Sequence, residues 1–249
     1  NILMLLNHKY KFIFLRTGKT AGTSMQLFLS QFCGDKDIIS PVSIEDELLK
    51  EKKNLRVSQN YEKEYTSLGI RFLKKKITEA LNGKKFTLKK KFNFYDHTSV
   101  SEINKYLPRN ILKNYLKFCV VRNPYSFLIS QFYWRKMRDN NYIDKNDIAS
   151  TLKNQFDEFV FNCKENFFFQ KKIIENNQKQ YGIDRYLYYE NLESELNVLI
   201  NELGIKEKPK HALWDFKLKK FENKQFTKNL LDQKNIDIIY KKTNFFFNK

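Results

Sequence analysis

The sequence predicts an α/β fold, a parallel sheet flanked by helices on both faces, and three observations carry that expectation. Apolar, β-favouring runs recur at about residues 10–15, 92–96, 115–121 and 183–189. Each ends at a polar corner, and most corners open into a segment whose apolar residues recur every three to four positions. Strands alternating with helices are the pattern of parallel crossover units, and 249 residues suffice for one substantial core.

Taken in order, "YKFIFL" at residues 10–15 is the first strand, and Met25, Leu27, Phe28, Leu29 and Phe32 set a helix over about 22–33. Residues 44–83 are charged and helical in pattern, with a turn near Ser67 and a stop at Gly83. They lie in a charged helical insertion at about 40–90 within one domain spanning 1–249. "FNFYDHTS" reads as a second strand, with Ser99 or Ser101 as the cap of a short helix before Pro108. "YLKFCVVRNPYSFLISQFYW", residues 115–134, repeats strand, corner and helix, and Pro124 suits a first helical turn. Residues 144–180 are polar and helical in pattern. "IDRYLYYENLESELNVLINELGI" gives a further strand, a corner at Glu190 and Asn191, and an amphipathic helix closing at Gly204; the tail reads as two helical pieces.

The 46 Lys and Arg against 28 Asp and Glu give a formal charge of +18, which points to an anionic partner. The abundance of Lys, Asn, Ile, Phe and Tyr beside only seven glycines is also what an AT-rich coding sequence produces, so charge alone does not select the partner. Cys33, Cys119 and Cys163 share no metal-ligand spacing and are odd in number, so reduced, buried thiols are expected rather than a disulfide framework or a zinc site. No run approaches the roughly 18 apolar residues of a membrane span. A soluble protein is expected, cytoplasmic if bacterial; because the first residue is Asn1, a lumenal catalytic domain with an anchor upstream is the other option.

The chemistry concentrates at two strand ends. "RTGKTAGTS", residues 16–24, looks like a triphosphate loop, yet counting back five from Gly18 reaches Ile13, inside the strand, where the first glycine of a Walker loop belongs. What stands there is a shorter loop: Gly18 and Gly22 for close backbone approach, Lys19 as a cation, and hydroxyls on Thr20, Thr23 and Ser24. The second corner, "VVRNPYSFLIS", places Arg122 at a strand end and Ser130 two helical turns on, toward the same side. A guanidinium fork suits phosphate oxygens.

This combination resembles the sulfotransferases, in particular the carbohydrate sulfotransferases of the heparan sulfate 2-O-sulfotransferase-like group and their bacterial relatives. Their 5'-phosphosulfate loop, K-T-[AG]-[GS]-[ST]-[ST], is matched by "RTGKTAGTS". Their 3'-phosphate motif, R-N-P-[YF]-x-R-x-x-S, is matched by "VRNPYSFLIS" with Phe127 where arginine is usual. The resemblance covers about residues 9–36, 92–135 and 183–204. It implies a P-loop-like sulfotransferase fold and 3'-phosphoadenosine 5'-phosphosulfate (PAPS) as donor, with no metal required. It further implies that Lys19 bonds the bridging oxygen, that Gly22, Thr23 and Ser24 with the backbone of Thr20 and Ala21 hold the 5'-phosphate, and that Arg122 and Ser130 hold the 3'-phosphate. His97, in "HTSVSE" where relatives carry H-x-[ST]-x-x-E, is by the same token the general base. A donor without a β,γ-phosphate chain explains the absent glycine at position 13.

Among the other histidines, His211 in "KPKHALWDF" is the runner-up base and His8 is expected to face solvent. The acceptor expected from the resemblance is a hydroxyl, on a carbohydrate or similar molecule. The nine Lys and Arg between 71 and 92 either guide an anionic acceptor or form a solvated face; Tyr133 and Trp134 either line an acceptor cleft or pack in the core. Two rivals share parts of the pattern. A nucleotide-dependent kinase needs the full Walker spacing and a magnesium carboxylate. A non-catalytic nucleic-acid binder accounts for the charge but not for the loop, and no nucleic acid is expected as a partner.

Overall fold

The structure is a computed structural model, and it describes residues 4–61, 64–65, 90–91, 103, 107–138, 149–163, 182–216 and 230–247. Its centre is a five-stranded sheet in the order β3-β1-β2-β6-β7. These strands are β1 (Met4–Asn7), β2 (Phe12–Leu15), β3 (Ile38–Ile39), β6 (Leu116–Val121) and β7 (Arg185–Tyr188); β4 (Glu64–Tyr65) and β5 (Lys90–Lys91) form a separate antiparallel pair. β2, β6 and β7 run parallel, whereas β1 is antiparallel to both β2 and β3. The sheet is therefore mixed, and the expectation of an all-parallel sheet holds only for its β2-β6-β7 half.

The sequence reading lacks the short strands β3, β4 and β5, and also β1. Its connection to β2, residues 8–11, contains neither glycine nor proline. The turn is made instead by Asn7, whose Oδ1 accepts the Tyr10 N–H at 2.7 Å, and by Lys11 at φ 51°. The same hairpin corrects the view of His8 as solvent-facing: it is half-buried, its Nδ1 2.8 Å from the Tyr115 hydroxyl, and its N–H donates to Asp37 Oδ1.

Strict alternation along the strands sorts the core into two layers. Leu5, Phe12, Phe14, Phe118 and Val120 face one side, where they meet α1 (Gly22–Ser30), the helix Leu192–Glu202 and the short turn Leu213–Phe216. Met4, Leu6, Ile13, Leu15, Cys119 and Val121 face the other and pack on Ile103, Leu107, Leu112 and Ile183. With α2 (Ile44–Lys52), α3 (Arg109–Asn114), α4 (Pro124–Arg138) and α5 (Ala149–Asn162), Leu192–Glu202 is α6 and Gln233–Phe247 is α7. A third apolar cluster joins α4, α5 and α7 through Phe127, Phe132, Phe156, Val160 and Ile239. The end of α5 is held there by Lys242, whose ammonium donates to the carbonyls of Val160, Phe161 and Cys163 at 2.6–2.9 Å, a cation at a helix C-terminus.

Other elements follow the residues closely. Gly204 takes φ 66° just beyond α6, and the Ile205 N–H returns to Ile200 O, as its glycine predicts. α2 stops much earlier than its charged pattern suggests. Asn54 turns left-handed at φ 52°, Leu55 is buried, and Gln59 pairs with Ile39 at the sheet edge, so tertiary pairing overrides helical periodicity. Beyond Tyr61 the charged insertion apart from β4, the basic stretch apart from β5, the strand expected at 92–96, its helix cap and His97 lie outside the described residues. Cys33, Cys119 and Cys163 are all buried, and no disulfide links them. Among the described residues no helix is long and apolar enough to cross a membrane.

Candidate active site

Because β2, β6 and β7 are parallel, the segments leaving Leu15, Val121 and Tyr188 emerge on one edge of the sheet, where open α/β sheets bind ligands. The first corner is a tight loop between β2 and α1. Thr17 anchors it: its buried hydroxyl donates to the carbonyl of Val120 on β6 and lies 2.6 Å from the Thr20 hydroxyl. Thr20 Oγ1 in turn donates to Thr17 O at 3.0 Å. Thr20 is fully buried, and its side chain shapes the loop. Ser24 is similarly committed, donating to Phe216 O at 2.9 Å, while Thr23 is half-buried.

Two non-glycine residues of the loop, Lys19 (φ 60°) and Ala21 (φ 58°), are left-handed, which costs about 1–2 kcal/mol each. Strain of that size is kept where surrounding contacts over-determine it, typically at functional sites. Gly22 shows the crowding: a Cβ there would lie 2.4 Å from Arg16 Cγ and 3.0 Å from Thr17 O. The first turn of α1 carries neither a side-chain cap nor an acidic residue, so its N–H groups and dipole suit an anion.

The second corner works differently. The amide of Asn123, at the start of α4, donates to Glu190 Oε1 at 3.0 Å, and the amide of Tyr125 donates to Asn123 Oδ1. This helix terminus already has a carboxylate, so anion binding at the corner falls to side chains. Arg122 is the central one. Its Nε donates to Ser126 Oγ at 3.0 Å, its Nη1 donates to Lys19 O at 2.9 Å, and its guanidinium stacks on Tyr189 at 4.1 Å from the ring centroid. Burial lowers its pKa from the usual arginine value, with Tyr189 and Glu190 opposing the shift; a guanidinium stays protonated regardless.

These contacts join the two corners directly. Ser126, Ser130 and Trp134 follow at four-residue intervals on α4, a stripe about 12 Å long with a drift of roughly 40° per step. Ser126 touches Arg122 at one end of the stripe, and the ring of Trp134 lies 5.5 Å from the Lys19 ammonium at the other. Half-buried Ser130 therefore sits between the cation of one corner and the cation of the other. Phe127, the departure from the arginine-bearing motif, is fully buried in the third apolar cluster, so here it contributes packing.

Of the residues singled out in the sequence, the fold gathers Lys19, Thr20, Ala21, Gly22, Thr23, Ser24, Arg122 and Ser130 around one edge. His211 is held elsewhere. Its N–H donates to Gln31 Oε1 just past the end of α1, about 13 Å along that helix from Gly22, and its Nε2 is 3.3 Å from Lys53 O. Thr17, Ser126, Tyr189 and Glu190 complete the contacts but were not read as part of the site, and Trp134 was read only as lining an acceptor cleft or packing in the core; the i, i+4, i+8 spacing of 126, 130 and 134 was the available signal. Among the described residues no group of three or more His, Cys, Asp or Glu stands together as a metal site.

A strained, uncapped loop with a lysine and a half-buried arginine bonded to it stand at the carboxyl edge of parallel strands in an α/β fold. The model of the sulfotransferase family matches residues 3–246, nearly the whole chain, and the protein belongs to that family as a sulfotransferase enzyme. Neither a curated protein nor a solved structure gives a significant match.

Proposed function

We propose that this sulfotransferase takes its sulfuryl group from PAPS and passes it by in-line displacement to a hydroxyl of a carbohydrate or similar acceptor, in the manner of the heparan sulfate 2-O-sulfotransferase-like group and its bacterial relatives. The observation that carries the reading is the bond from Arg122 Nη1 to Lys19 O, which sets the two candidate phosphate-holding corners side by side. The donor set fits the bisphosphate: an uncapped helix N-terminus and a lysine on one side, a guanidinium and a helical hydroxyl on the other. The donor supplies an activated sulfuryl group. The chain's own work is to align it and to neutralise charge on the departing phosphate.

In this reading the amides of Gly22, Thr23 and Ser24, with those of Thr20 and Ala21, hold the 5'-phosphate, and the Lys19 ammonium meets the bridging oxygen. Arg122 and Ser130 hold the 3'-phosphate. His97 takes the proton from the acceptor hydroxyl, and the position of His211 beyond the far end of α1 favours His97 over it. The three buried thiols without a disulfide favour a reducing compartment, the cytoplasm for a bacterial chain.

Isothermal titration with 3'-phosphoadenosine 5'-phosphate, ATP-magnesium and a DNA duplex tests the donor. The bisphosphate should bind the unsubstituted protein and bind poorly to Lys19→Ala and Arg122→Ala; failure of the unsubstituted protein to bind it overturns the reading. His97→Ala should lower transfer by about 100-fold or more while leaving bisphosphate affinity within about threefold.

A further inference from the structure

The contact between Lys19 and Trp134 has no part in holding phosphate, yet it engages the side chain assigned to the bridging oxygen. Lys19 has four side-chain torsions and sits on a left-handed corner whose carbonyl is pinned by Arg122. Ordering the ammonium at the end of such a side chain costs entropy. In the structure it lies over the Trp134 ring, 5.5 Å from the centroid, within the range at which an indole face attracts a cation. Trp134 is half-buried, and its neighbours Phe132 and Tyr133 are buried in the core, so the ring is carried on a well-packed part of α4. The same helical stripe brings Ser130 and, at its other end, Ser126 with Arg122.

We propose that Trp134 is a positioning residue: its ring face holds the Lys19 ammonium over the α4 stripe, between the two phosphate-holding corners, so that the lysine meets the donor already oriented. This rests on the PAPS reading above. It predicts that the ring face, rather than the bulk of the residue, matters, because leucine fills space without attracting a cation while phenylalanine and tyrosine keep an attracting face.

The experiment has two readouts. The first is initial-rate release of sulfate from PAPS to water, which needs no known acceptor. Trp134→Leu should lower kcat about tenfold, with KM for the donor within about threefold, whereas Trp134→Phe and Trp134→Tyr stay within about threefold of the unsubstituted rate. The second uses Trp214→Phe, which leaves Trp134 as the sole tryptophan. Its emission should change on titration with 3'-phosphoadenosine 5'-phosphate, and the change should vanish when Lys19→Met is added, at concentrations where calorimetry shows the site filled. Full activity in Trp134→Leu, equal losses in the leucine and phenylalanine variants, or an emission change that survives Lys19→Met overturns the inference while donor binding stands. Absence of bisphosphate binding by the unsubstituted protein overturns both readings together.

Discussion

Replacing Arg122 by lysine keeps the charge and removes the fork, which makes it the sharpest test of how the two corners are joined. Arg122 donates in different directions to Ser126 Oγ and to Lys19 O, and stacks on Tyr189. A lysine ammonium reaches at most one of the two acceptors and cannot stack as a plane. One lost bond from a charged donor is worth about 1.5–3 kcal/mol, and the lost stacking about 0.5–1 kcal/mol more. The sum, roughly 2–4 kcal/mol, lowers Tm by about 4–16 °C for a chain of this size. Bisphosphate affinity should fall about 10- to 100-fold, at roughly 1.4 kcal/mol per tenfold, for loss of a forked phosphate contact. Thermal unfolding and calorimetry, each at two ionic strengths, read both quantities; because the charge is kept, the salt dependence of binding should be unchanged. An Arg122→Lys protein that melts within about 1 °C of the parent and binds the bisphosphate within twofold refutes the view that the guanidinium geometry joins the corners.

Gly22→Ala forces a Cβ against Arg16 Cγ and Thr17 O, and overpacking of this kind costs about 1–3 kcal/mol; denaturant unfolding should show that loss together with weaker bisphosphate binding. Lys50 is fully buried and donates to Glu47 Oε1 at 2.9 Å, beside Ser58. Burial alone would raise the Glu47 pKa, but bonds from Ser58, Lys50 and the Val42 amide hold it below the ordinary 4.5, and burial lowers that of Lys50 despite the pairing. A depressed carboxylate pKa stabilises the fold above about pH 4.5, so the stability lead of the parent over Glu47→Gln should be full at neutral pH and shrink as pH falls below 4.5 in urea titrations. Lys242→Met leaves three carbonyls at the end of α5 without their cation and should cost about 1–2 kcal/mol, read as a lower urea midpoint with unchanged bisphosphate affinity.

Much of the candidate site was legible because its signals are local. A strand, a short glycine-bearing loop and a helix follow within 20 residues at "KFIFLRTGKTAGTSMQLF", and the missing glycine at Ile13 separates this loop from a triphosphate loop without any tertiary information. Arg122 and Ser130 were legible for the same reason. The partners that hold these residues were not. Thr17 bonds Val120 across 103 positions, Arg122 bonds Lys19 across the same separation, and Ser24 bonds Phe216 across 192. Such pairings depend on which strand ends meet in the sheet, and no periodicity encodes that.

The sequence by itself determined the alternation of strand, corner and helix, the family resemblance, and the residues proposed to hold two phosphates. Tertiary structure decided the antiparallel β1 between β2 and the edge strand β3, because the Asn7 turn closes through a side chain rather than through a glycine. It decided that Thr20 and Ser24 serve the loop with their hydroxyls, that Glu190 already caps α4, and that Phe127 packs where relatives carry a charge. It also decided that Lys19 rests on Trp134, since only the crossing of α4 over the loop brings residues 115 positions apart within reach of one cation and one ring.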